Sequence, residues 1–218
     1  YRHELTRFDM NGDVNLRIGH DNNDDHQRGT VTICSSHLDT ESIRALGRLF
    51  VRVQHLVIYS GAVHAPRAHL DNLSLCALLE QWPHLVSLSL FGAIAPVDKN
   101  FAFRISAAIN SLSKLRRLDI LLTDLNPLPI ARLTPALSRL EHLSLFAYPG
   151  DIALALTRLG PNIRHLRIDY YFVLKVHFIV GELGPSLANN RHLMTSITHI
   201  RLAKVACTQI VPFICGHF

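Results

Sequence analysis

Histidine is the residue whose placement most invites a chemical reading. His55, His142, His165 and His199 each sit two residues after the first apolar position of a short recurring pattern. If those patterns are neighbouring strands, His142 and His165 face each other across one strand pair. That is close enough to share a metal ion or to respond jointly to pH. No carboxylate or cysteine stands at a matching position to complete a ligand set, so solvated or partner-contacting imidazoles are the expectation. His20-Asp21-Asn22-Asn23-Asp24-Asp25-His26 has the look of a calcium loop. From Asp21, however, His26 falls where glycine is required and Thr32 where the bidentate glutamate belongs. His64/His69 and Cys207/Cys215 lack a second ligand pair. Nucleotide, hydrolase and zinc-protease signatures (GxGxxG, GxxxxGK[ST], GxSxG, HExxH) are absent. A triad assembled only in space would escape such a search. No cofactor, no metal and no catalytic residue are therefore expected.

The elements that would position these residues come from an internal repeat. The pattern apolar-x-x-apolar-x-apolar occurs as Val53-Leu56-Ile58, Leu85-Leu88-Leu90, Leu115-Leu118-Ile120, Leu140-Leu143-Leu145, Ile163-Leu166-Ile168 and Ile197-Ile200-Leu202. The intervals are 32, 30, 25, 23 and 34 residues. Leu5-Phe8-Met10 is a seventh match, either an earlier turn or chance. Alternation within each match predicts a short strand with one buried face. Helical spacing follows in Glu41–Phe50, Leu73–Gln81, Phe101–Leu112 and Ile152–Leu159, with Thr40, Asn72, Asn100 and Asp151 as N-caps. Pro83 and Pro161 stop two of these helices at the same place in the cycle. One such cycle cannot bury its apolar side alone, so neighbours must stack. The expected fold is α/β: a leucine-rich-repeat solenoid with an inner parallel sheet and outer helices, occupying 38–218. Residues 1–37 are expected to be a strand/loop segment, a degenerate repeat at most, with 11–30 a polar loop or a poorly ordered insertion. A doubly wound sheet is the rival.

The junctions Trp82-Pro83-His84-Leu85-Val86-Ser87-Leu88-Ser89-Leu90 and Gly160-Pro161-Asn162-Ile163-Arg164-His165-Leu166-Arg167-Ile168 resemble the helix-to-strand junctions of F-box-associated leucine-rich-repeat proteins. The resemblance covers about Leu38 to Leu202, the repeat region alone. It implies a substrate receptor of a cullin-type ubiquitin ligase, whose repeats hold the target while an upstream F-box docks to the ligase adaptor. The Asn or Cys of the commoner repeat is replaced by Gly61, Ala93, Thr123, Tyr148, Tyr171 and Val205.

Composition narrows the rest. Of 218 residues 48% are hydrophobic and 18% charged, which excludes a disordered linker. The net charge of +5 is spread without any long basic run, so no specific nucleic-acid partner is expected. Tyr170 to Val180 is too short to span a bilayer and carries Lys175 and His177, so no membrane partner is expected. Four scattered cysteines suit a reducing compartment, cytoplasmic or nuclear. The chain starts at Tyr1 rather than methionine and is taken as part of a longer product.

A protein partner on the concave face is the functional expectation. The outward columns would be His55, Ser87, Arg117, His142, His165, His199; then Val57, Ser89, Asp119, Ser144, Arg167, Arg201; then Tyr59, Phe91, Leu121, Phe146, Asp169, Ala203. Tyr59, Phe91, Leu121 and Phe146, with His142, His165, Arg167 and Arg201, are the candidate partner-binding residues. The apolar row is either a binding patch or a corner covered by another segment. A repeat regulator or recognition domain unrelated to ubiquitin, and an α/β enzyme with an unrecognised site, are the alternative functions.

Overall fold

The computed structural model describes residues 15–20, 29–35, 40–50, 52–60, 72–92, 99–122, 130–147, 149–170 and 195–203. The Leu5-Phe8-Met10 match, the acidic run 21–26, the histidine and cysteine pairs at 64/69 and 207/215, the segment 172–190 and the six positions replacing Asn or Cys lie outside them. So do the side chains of Tyr59, Phe146, Asp169 and Arg201.

The strand signature does what its alternation dictates. Strands β1 (Asn15–His20), β2 (Gly29–Ser35), β3 (Val53–Ser60), β4 (Ser87–Gly92), β5 (Arg117–Leu122), β6 (His142–Ala147), β7 (His165–Tyr170) and β8 (His199–Ala203) form one sheet. Their spatial order is their chain order. β1 runs antiparallel to β2; every other neighbouring pair is parallel. Parallel neighbours require a crossover. Helices α1 (Thr40–Leu49), α2 (Asn72–Gln81), α3 (Lys99–Ser111), a 3-10 turn (Ile130–Leu133) running into α4 (Thr134–Leu137), and α5 (Pro149–Arg158) supply five of them. Each helix touches the next, so they stand in one row on one face of the sheet. The strand order never reverses, and the sheet therefore lacks the switch point of a doubly wound fold.

The core lies between strands and helices. The fifteen signature residues from Val53 to Ile168 are all buried, at most 4% exposed. Each fully buried leucine stabilises by roughly 2 kcal/mol relative to an exposed one. Burial therefore fixes register, because a one-residue slip would turn every signature side chain toward water. Leu75, Leu78 and Leu79 of α2, Ile105 and Ile109 of α3, and Leu156 of α5 meet them from the helical side.

The strand entries are built alike. The carbonyl of Val86 accepts hydrogen bonds from two consecutive amides, Arg116 N (2.8 Å) and Arg117 N (3.0 Å). Arg116, Glu141 and Arg164 carbonyls repeat this with the following turn: Glu141/His142, Arg164/His165 and Thr198/His199. The turn before each strand also recurs, with Leu85 N donating to Trp82 O, Leu115 N to Leu112 O, Leu140 N to Leu137 O and Ile163 N to Gly160 O. Four identical entries mean that side chains at equivalent positions face equivalent surroundings.

Two expectations require correction. The segment 11–30 is not simply a loop, because 15–20 and 29–30 lie in strands, and β1 and β2 join the sheet in chain order. Leu16, Ile18, Val31 and Ile33 carry the alternation, and Val31 and Ile33 are buried. The acidic run between them masks that signal. Residues 130–137 are helical although no helix is expected there. The 25-residue interval and Pro135 leave room only for this short connection.

Candidate functional site

The sheet face turned away from the helices carries the three columns. Strand register aligns His55, Ser87, Arg117, His142, His165 and His199 in a single row. Val57, Ser89, Asp119, Ser144, Arg167 and Arg201 form the second row. In the third, Tyr59, Phe91 and Leu121 are in register. The ladder from β5 to β6 ends at the Ile120–Leu145 pair, so Leu121 and Phe146 lie beyond its last rung. Phe91 and Leu121 are partly buried rather than fully open.

Toward β8 the first row becomes a stack of imidazoles. The His142 and His165 ring centroids are 5.5 Å apart with an interplanar angle of 32°. His165 and His199 lie 4.6 Å apart at 23°. His142 is partly buried; His165 and His199 are exposed. Although largely open to water, His165 is held below the ordinary histidine range. The first cause is the water its ring gives up to its neighbours; the second is positive charge on His199, His142, Arg117 and Arg164. The stacked geometry presents ring faces, not converging lone pairs. Among the described residues no three His, Cys, Asp or Glu side chains gather to hold a metal ion.

The second row hides its polar side chains. Ser89, Asp119 and Ser144 are at most 5% exposed, against the expectation of an open column. Short side chains there sink between longer neighbours, and they compensate by bonding one another. Asp119 Oδ2 accepts from Ser89 Oγ (2.7 Å) and from Arg117 Nε (2.8 Å). Its Oδ1 is 3.2 Å from His142 Nε2 but out of line for a hydrogen bond in this ring orientation. A carboxylate thus does stand beside the histidine row, on the diagonal rather than at the matching position. Burial alone would push the Asp119 carboxyl up. The polar groups gathered round it, His142 and Ser144 alongside and the hydrogen-bonding Arg117 and Ser89, outweigh burial and hold the group well below the usual carboxylate range.

Ser144, His142 and Asp119 have the composition of a nucleophilic triad but not its geometry. Ser144 Oγ lies 3.2 Å from His142 Nε2, the same nitrogen that faces Asp119. A relay needs the two partners on opposite ring nitrogens and an accessible hydroxyl. Ser144 is buried. The cluster is an electrostatic support for the face, and Asp119 is the member that sequence reasoning undervalued. Its signal was the spacing Arg117-x-Asp119, which puts opposite charges two apart on one strand face.

Arg167, partly buried, lies between Ser144 and Arg201 in the second row. Arg116 and Glu141 form an ion pair at 3.8 Å beside the strand entries. No described helix is long and apolar enough to cross a membrane. No family model and no curated protein matches this sequence.

Proposed function

We propose that the chain is a leucine-rich-repeat solenoid that binds a protein partner on the helix-free face of its sheet. The supporting observation is the alignment of His142, His165 and His199 on three adjacent strands, two of the rings open to water, beside Arg117 and Arg167. A helix-free face of polar and aromatic side chains, backed by a rigid row of helices, suits recognition of an extended surface. The monotonic strand order and the four identical strand entries support the repeat assignment. The resemblance of the junctions supports a ligase substrate as the partner, with a ligase adaptor as a second one.

Cross-linking of the chain in cell extract, followed by peptide mapping, tests the face. Photoactivatable residues at Val57 and Leu121 should capture a defined partner, and Phe91→Ala with His165→Ala should abolish capture. Phe103→Ala, on the exposed side of α3, should not. Capture unaffected by the face substitutions would refute the proposal. Recovery of an adaptor–cullin complex by the full-length gene product tests the ligase role separately.

A further inference from the structure

We infer that the β6–β8 end of the sheet face seats an acidic segment of the protein partner, its carboxylates lying across the imidazole row. The inference rests on the partner-binding role of this face and adds the chemistry of the partner.

Charge is the argument. Among the described residues, the charged groups that act on His165 are His199 from β8, His142 from β6, Arg117 from β5 and Arg164 from its own strand entry, with Asp119 and Glu141 near His142 and Arg167 two residues along the strand. The two carboxylates among these groups are engaged: Asp119 is buried beneath Arg117 and Ser89, and Glu141 lies against Arg116. Among the described residues no carboxylate forms an ion pair with His165 or His199. Protonation of the row therefore places adjacent positive charges 4.6 Å apart with no counterion among the described residues. An external carboxylate supplies it.

Spacing agrees. Strands lie roughly 4.8 Å apart, so His142 to His199 spans roughly 10 Å, the reach of about three extended residues. Two carboxylates on one side of such a segment bracket the row. Their arrival also opposes the depression of His165, so binding draws protons from solution and tightens on acidification.

The test titrates a fluorescein-labelled Glu-rich peptide, its Gln counterpart and an oligodeoxythymidylate onto the whole chain at equal ionic strength. At about pH 5.5 the Glu peptide should bind roughly three- to tenfold more tightly than at about pH 7.5, the increment expected of exposed charge pairs. The Gln peptide should not bind. The His165→Gln/His199→Gln double variant, with unchanged circular dichroism, should lose the acid increment. Arg164→Gln should weaken binding at both pH values. Equal affinity at the two pH values, an increment surviving in the double variant, or oligonucleotide binding as tight as peptide binding would each overturn the inference. Partner capture through Val57 and Leu121 that persists without any acidic-peptide binding would leave the partner-binding role standing and this inference refuted.

Discussion

Asp119 Oδ1 and His142 Nε2 meet 3.2 Å apart across β5 and β6, joining a buried carboxylate to the edge of an imidazole stack. Among the described residues Asp119 is the one buried charged group, and the contact sets it beside the first histidine of the stack.

Replacing that carboxylate tests its role. Asp119→Asn should destabilise by about 2 kcal/mol at neutral pH, since Ser89 and Arg117 lose a charged acceptor inside the sheet. The folded carboxyl titrates below its unfolded value of 3.8, so its contribution is complete above that value and is lost as pH falls beneath it. Urea unfolding should therefore show the wild-type advantage at neutral pH and a shrinking one below about pH 4.

His165 runs the opposite way. Its folded form is harder to protonate than its unfolded form, so acidification through the ordinary value of 6.5 favours unfolding. His165→Asn should leave stability unchanged at slightly alkaline pH and lessen the loss on acidification. Paired thermal melts across that range would show it; parallel pH profiles would contradict it.

Arg139 anchors α3. Its Nη2 donates to the carbonyls of Asn110 (2.7 Å), Leu112 (3.0 Å) and Ile109 (3.4 Å), while Nη1 reaches Pro135 O (2.7 Å). The carbonyls of Ile109, Asn110 and Leu112 lie at the C-terminal end of α3, where the last turn runs out of helical donors. Arg139→Ala should cost about 2 kcal/mol by chemical denaturation, and Arg139→Lys should recover only part, because an ammonium cannot span the fork.

Gly160 is a close approach rather than a flexible joint. A methyl group there would overlap the backbone carbonyl of Ser138, 2.7 Å from its carbon, in the preceding turn. Gly160→Ala should destabilise by at least about 2 kcal/mol, since backbone must move. At Gly29 the nearest atom to an added methyl is 3.5 Å away, so Gly29→Ala should change stability by no more than about 0.5 kcal/mol. Similar melting points for the two variants would contradict the packing described.

Much of this was legible in the residue pattern. Periodicity located β3 to β8 and their register, because a six-residue signature with three buried positions tolerates no slip. It located α1, α2, α3 and α5 to within three residues at each end. It did not reveal which outward positions are buried, since Ser89 and Ser144 look like solvated side chains until their neighbours are in place. The burial and bonding of Asp119 belong to that class: they depend on Ser89 and His142, 30 and 23 residues away in sequence.

The antiparallel seam between β1 and β2 has a consequence for how such a chain can grow. β2 already spends its outer edge on a strand of reversed direction, so the parallel array cannot be extended ahead of it without displacing β1. The entries to β5, β6, β7 and β8 share one hydrogen-bond pattern, so those strands meet their neighbours alike. The antiparallel β1 thus closes the β2 edge of the parallel array, while the histidines lie toward its opposite end.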